Sequence, residues 1–188
     1  PEDQPELFQP LTELYRAKVG RRGVNPSAAE RRVRTRPAVA GALLLEAGEA
    51  DAALIGGRGD WMNEWDHALS VIGKSPSVSR AYALSAVIIP AGTLFFVDTH
   101  LMLEPTAEQL CEMTLLAAEQ VRGFGITPKV ALLSHSSFGA SGAEAARKMR
   151  KALGLIRAQA PDLEVDGEMH ADAALVPAIR DRAVPDAR

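Results

Sequence analysis

At 188 residues the chain is long enough for one good core or two small lobes, and it is 47% apolar and 24% charged with a net charge of −3. So small a net charge supplies no global field for nucleic acid or a membrane surface. The single cysteine, Cys111, excludes an internal disulfide framework and suits a reducing cytoplasm, and no apolar run approaches the roughly 20 residues that span a bilayer.

Taken in chain order, Pro5 to Val19 places Leu7, Leu11, Leu14 and Tyr15 near helical spacing and ends at Gly20 and Gly23. Asn25 can cap the next helix and Pro26 suits its first position, so a helix is expected to run to Gly48, kinked near Pro37. Asp51 to Gly56 reads as a short buried strand leading into the turn GGRGD, and a helix bearing Trp61 and Trp65 follows, roughly Met62 to Ile72. Tyr82–Pro90 and Thr93–Asp98 are apolar runs separated by Ala91-Gly92, which predicts an antiparallel hairpin. Thr106 and Gln109 have capping-box spacing at the head of a helix whose apolar face is Leu110, Met113, Ala117 and Val121. Lys129 to Leu133 is a strand. Ser141 and Glu144 form a second capping box, opening a helix with Ala146, Met149, Leu153 and Ile156 on its apolar face and Arg147, Lys148, Arg150 and Lys151 on the others. Pro161 breaks that helix, LEVDG is a short strand, and DAALVPAIRDRA is a final helix. The alternation from Thr93 onward argues for an α/β fold, a layered mixed sheet flanked by helices.

In open α/β sheets, ligands gather where strands run into helix N-termini. The loop SHSSFGASG is the most informative of these junctions. Ser134, Ser136, Ser137 and Ser141 supply hydroxyls, Gly139 and Gly142 permit close backbone approach, and a helix start offers free amides to an anion. Two readings stay open here: a phosphate cradle, or serines that merely cap a helix and close a turn. The loop is not a Walker loop, since GxxxxGK[ST] is absent. His100, His135 and His170 each lie just past a strand, with Asp98 and Glu168 nearby, so a metal or acid–base cluster is conceivable. HxxxH and HExxH spacings do not occur, and polar loop residues with ordinary hydrogen-bonding roles are the favoured reading. Lys18, Arg21, Arg22, Arg31, Arg32, Arg34 and Arg36 form the densest basic region, which is either a solvated helix face or a seat for a multiply phosphorylated small ligand. Trp61 and Trp65 suit core packing, a subunit interface or an acyl-chain wall, and Cys111 is most simply a core thiol.

EPTAEQLCEMTLLAAEQVRGFGITPKVALLSHSS, ARKMRKAL and APDLEVDGEMHADAALVPAI resemble the phosphate acetyl/butyryl transferase family, and KVGRRGVNPSAAERRV and EADAALIGG match its upstream part. The resemblance implies two α/β lobes of the isocitrate dehydrogenase type around a cleft, with roughly 1–80 in the first lobe and 81–188 mostly in the second. It also implies acyl transfer between coenzyme A and phosphate, homodimers or higher homo-oligomers, and a phosphate or acyl-CoA site at Ser134, His135, Ser136, Ser137, Gly139 and Ser141, joined by Arg58 and Arg31. Asp98, His100, His170 and Asp172 are further cleft candidates.

This chain departs from the transferase pattern at Asp66, where transferases resemble one another in carrying an arginine, and at His135 to Phe138, Met169 and His170. With DTHLMLEPTAEQL, these variants look most like the transferase-like C-terminal domain of hybrid NADP-dependent malic enzymes. That likeness implies an acetyl-CoA-sensing regulatory domain with no catalytic residue and no metal ligand of its own. NADP and a divalent metal, Mg or Mn, would belong to the longer, cytoplasmic parent. The alternative is a catalytic phosphate acetyltransferase. The abrupt Pro1-Glu2-Asp3 start, the VPDAR end and the absence of a match to the family's first strand and catalytic tail lead us to expect a fragment.

Overall fold

Two hydrophobic cores, each built mainly by helices, organise the chain into the compact units Pro1–Ser77 and Val78–Arg188. The computed structural model describes residues 5–56 and 60–184.

The first unit is helical: α1 (Pro5–Val19), α2 (Pro26–Thr35), α3 (Pro37–Glu46) and α4 (Trp61–Ile72). Leu11, Tyr15 and Val19 recur every fourth residue along α1 and bury against Ala29 and Val33 of α2, Val39, Ala42 and Leu43 of α3, and Val71 of α4. Asn25 caps α2 as expected, its Oδ1 accepting the Ala28 amide at 2.8 Å, and Asp60 caps α4 through the Met62 amide at 3.0 Å. The single kinked helix expected over 26–48 is instead two helices. Arg36 between them is extended because the Pro37 ring disfavours helical backbone in the residue before it. The strand expected at 51–56 does not form. The segment runs past Gly41 of α3, where Ala53 and Ile55 lie in ordinary contact range, but it pairs with no strand among the described residues, and Leu54 is fully exposed. Apolar composition alone cannot hold a strand whose backbone groups find no ladder partner.

Much of the basic run in this unit is structural. Lys18 reaches Glu46 of α3 at 2.6 Å, Arg34 pairs with Glu30 at 2.9 Å and stacks over the Phe8 ring, and Arg32 donates to the Tyr15 hydroxyl.

The second unit is α/β. β1 (Leu84–Ile89) and β2 (Gly92–Val97) form the expected hairpin, in register from Leu84 opposite Val97 to Ile89 opposite Gly92. α5 (Ala107–Gly123) starts on the complete capping box of Thr106 and Gln109. β3 (Lys129–Leu133), α6 (Glu144–Gln159) and β4 (Glu164–Met169) make a parallel pair with a crossover helix, the arrangement that parallel strands require. The described strands build two small sheets, one antiparallel and one parallel, flanked by helices, in keeping with the expected α/β class. Leu110, Cys111, Met113 and Ala118 of α5 pack with Ala152, Leu153 and Ile156 of α6 over Leu132 and Val165, while Tyr82 and Val97 attach the hairpin to the same core. The expected final helix is likewise split, into α7 (Ala171–Leu175) and α8 (Pro177–Ala183), with Val176 extended before Pro177.

Candidate functional site

β3 and β4 run side by side and end together, so the 134–143 loop leaving β3 and the turn into α7 leaving β4 meet at one edge of the sheet. The pairing slips by one residue between Leu132 and Leu133: Leu132 opposes Gly167, and Leu133 opposes Met169. Glu168 is the extra residue. A bulge of this kind re-aims a side chain, and here it sends a carboxylate beneath the serine loop.

Glu168 is wholly buried, and the loop is wrapped around it. Its Oε1 accepts the Ser136 hydroxyl at 3.1 Å, the Gly139 amide at 3.0 Å and Arg150 Nη1 at 2.7 Å. Its carbonyl oxygen accepts the Phe138 amide at 2.6 Å, and Phe138 takes a left-handed φ of 47° to deliver it. Burial by itself would raise the Glu168 carboxyl. Hydrogen bonds from the Gly139 and Glu168 amides, the Ser136 hydroxyl and Arg150 outweigh it and hold the group below the usual carboxylate range. Oε2 is buried with no hydrogen-bond partner.

The rest of the loop is tied from the same centre. Ser136 Oγ accepts the Ser141 amide at 3.0 Å, and both terminal nitrogens of Arg150 reach the Ser141 carbonyl at 3.2 Å. The Ser134 amide donates to the Met169 carbonyl, the Ala140 amide to the Ser137 carbonyl, and the Ala143 amide to the Ser141 hydroxyl. The capping box expected from Ser141 and Glu144 does not form. Ala143 is the N-cap of α6 and no side chain caps it, because Ser141 Oγ turns to the Ala143 amide instead. Arg147 supports the junction through the Gly142 carbonyl.

The sequence-derived candidates thus separate. Ser134, Ser136, Gly139 and Ser141 are consumed in the loop's own bonding. His135 is exposed, and the Ser137 hydroxyl accepts the His170 amide at 3.3 Å, which brings His135, Ser137 and His170 to the rim of one loop. Asp172, exposed, accepts the amide of Ala173 at the start of α7. Asp98 and His100 belong to the turn after β2. Burial would raise the Asp98 carboxyl, but the amides of His100, Ala83, Leu101 and Met102 outweigh burial and keep it low, marking a turn-holding carboxylate. His100 Nδ1 lies 2.7 Å from the Thr99 hydroxyl. The three histidines do not converge on a metal: no group of three or more His, Cys, Asp or Glu side chains suited to a metal is assembled among the described residues. Arg31 is exposed on α2 in the first unit, and Arg58 lies outside the described residues.

Sequence reasoning missed the centre of this site. The sequence marks Glu168 only as a neighbour of the histidines and Arg150 only as a residue off the apolar face of its helix. Gly167 was the available signal, since a glycine inside a strand marks a bulge or a close backbone approach.

The family described as Phosphate acetyl/butaryl transferase matches residues 1–188. The chain is 46% identical to an NADP-dependent malic enzyme of Escherichia coli over 98% of its own length and 24% of that protein. It is 34% identical to a phosphate acetyltransferase of Paracoccus denitrificans over 99% of itself and 60% of that protein. In three dimensions it resembles the EutD phosphotransacetylase from Staphylococcus aureus, with a TM-score of 0.74 and 27% identity, covering the whole of this chain and 56% of that one. The chain therefore spans about a quarter of the malic enzyme and about half of the solved phosphotransacetylase.

Proposed function

Since the chain belongs to the phosphate acetyl/butaryl transferase family, we propose that it is the acyl-CoA-sensing, phosphotransacetylase-like part of a malic enzyme. The parent reaction would be the NADP-dependent oxidative decarboxylation of malate to pyruvate, in a cytoplasmic homo-oligomer. The observation that carries this reading is Asp66. It is exposed on α4, at the position where the resembling transferases carry an arginine. A carboxylate there repels the phosphate that a guanidinium would clamp. Malic enzymes among the relatives reach 46% identity, which supports the same choice. On this reading NADP and the divalent metal would be held by the rest of the longer protein. No helix among the described residues is long and apolar enough to cross a membrane.

Acetyl-CoA would act by differential affinity for two arrangements of the parent, which is all that allosteric control requires. Isothermal titration of the full-length protein with acetyl-CoA should give saturable heat, and an acetyl phosphate-forming assay with acetyl-CoA and phosphate should give no turnover. Absence of heat at millimolar acetyl-CoA sinks the sensing role. The second reading, a working phosphate acetyltransferase, is favoured by the 34% identity to the Paracoccus enzyme over nearly the whole chain. Sustained acetyl phosphate formation would establish it in place of the first.

A further inference from the structure

We infer that Glu168 is an internal anion that shapes the 134–143 loop, a positioning residue whose carboxylate fills the loop's anion cradle and confines any ligand phosphoryl group to the outer rim. The shaping role stands without the function proposed above; the confinement of a phosphoryl group rests on that reading.

The donors set around Glu168 are those of an oxyanion seat. A glycine amide, a serine hydroxyl and a guanidinium converge on the single atom Oε1, at 3.0, 3.1 and 2.7 Å. Serine loops at strand ends ordinarily offer such donors to an incoming anion. Here they are already satisfied by a carboxylate that the β4 bulge delivers from below, with no exposure to solvent. The same carboxylate governs both ends of the loop. It holds Ser136 and Gly139 directly, and it orients the Arg150 guanidinium that grips the Ser141 carbonyl. The Ser136 hydroxyl relays the tie by accepting the Ser141 amide while donating to Glu168. A phosphate entering the cradle would have to displace a like charge in direct contact with every donor. The exposed His135 and the half-buried Ser137, whose hydroxyl accepts the His170 amide, make none of these contacts with the carboxylate and lie at the rim of the frame it sets.

The test is chemical rescue in the full-length protein. Glu168→Ala leaves a carboxylate-sized gap lined by the same donors. It should lower the thermal midpoint and speed hydrogen exchange of peptides spanning 134–143. Formate or acetate should restore both, acetamide at equal concentration should not, and the rescue should vanish in Glu168→Ala/Arg150→Met. Equal rescue by acetamide, or unchanged loop exchange in Glu168→Ala, would overturn the proposal, since the side chain would then merely fill space or do nothing. Should the alanine variant fail to fold, Glu168→Gln keeps the shape without the charge and should still speed exchange across 134–143; wild-type exchange there counts against the shaping role. Inorganic phosphate, titrated against wild type and Glu168→Gln, probes the confinement. The variant should bind it at least about tenfold more tightly, as expected when a contacting like charge is removed; equal affinity refutes the confinement. None of these readouts uses acetyl-CoA, so a wild-type protein that ignores acetyl-CoA but shows carboxylate rescue would fail only the proposed function.

Discussion

Replacing Gly167 by alanine should separate β4 from β3 and withdraw Glu168 from beneath the serine loop. Gly167 has a φ of 136°, which L side chains rarely adopt. A Cβ placed there would sit 2.7 Å from the Leu132 carbonyl oxygen, 3.0 Å from its Cβ and 3.2 Å from its amide nitrogen. An ordinary carbon–oxygen contact is about 3.3 Å or longer, so the two strands must part by about 0.6 Å. That opening takes ladder bonds of about 2.9 Å to the limit at which they still count as hydrogen bonds. No flexible side chain can yield, because the nearest obstacle is backbone. Overpacking of about 1–3 kcal/mol and unfavourable backbone dihedrals of similar size together give a loss of about 2–5 kcal/mol. The thermal midpoint should fall by about 5–15 °C, with exchange rising first in peptides covering 129–133 and 164–169. Gly154→Ala supplies the control. Gly154 is exposed on α6, an added Cβ meets nothing within 4 Å, and the change should stabilise by about 0.5–1 kcal/mol. If Gly167→Ala unfolds within about 1 °C of wild type with unchanged exchange, the close approach that aims Glu168 is not what holds the loop.

Two further outcomes follow from the same geometry. Glu168 is held below its ordinary value, so its contribution is complete above the unfolded glutamate pKa of about 4.3 and disappears as pH falls through the lower folded value. In urea titrations, the stability gap between wild type and Glu168→Gln should be widest near neutrality and close on acidification; a gap that widened in acid would contradict the sign. At the head of α5, Thr106 Oγ1 accepts the Gln109 amide at 3.2 Å while Gln109 Oε1 accepts the Thr106 amide at 2.9 Å. Thr106→Ala should therefore cost about 1 kcal/mol, and Thr106→Ser should recover most of it in the same denaturation series.

The helices of this chain were legible because their signals are local: Asn25 before Pro26, Thr106 three residues before Gln109, and apolar residues at helical spacing from Leu11 to Val19. Pro37 and Pro177 act alike, each leaving its preceding residue extended and ending a helix. Both prolines sit within a strong apolar pattern, which hides their steric effect on the preceding residue. The 51–56 segment failed as a strand for a different reason. Its residues have the right composition, but a strand exists only where another backbone completes its hydrogen bonds, and no pattern within six residues reports that.

In the serine loop the sequence names the residues but leaves their partners open between a ligand anion and the loop's own turn. Hydroxyls and amides at a strand end suit an anion, which is why Ser136 and Gly139 stand out. That chemistry was right, yet the anion stands 29 residues after Gly139, on a neighbouring strand, and a single bulge aims it. Arg150 escaped for a related reason. Helical periodicity puts it off the apolar face of α6, and a long side chain can leave such a position to reach a buried charge while its guanidinium stays partly exposed. Periodicity describes where a side chain starts; the buried carboxylate decides where this one ends. If Glu168 fills the cradle as inferred, a phosphoryl group meets the loop at its rim, His135, Ser137 and His170, and not at Ser136 or Gly139.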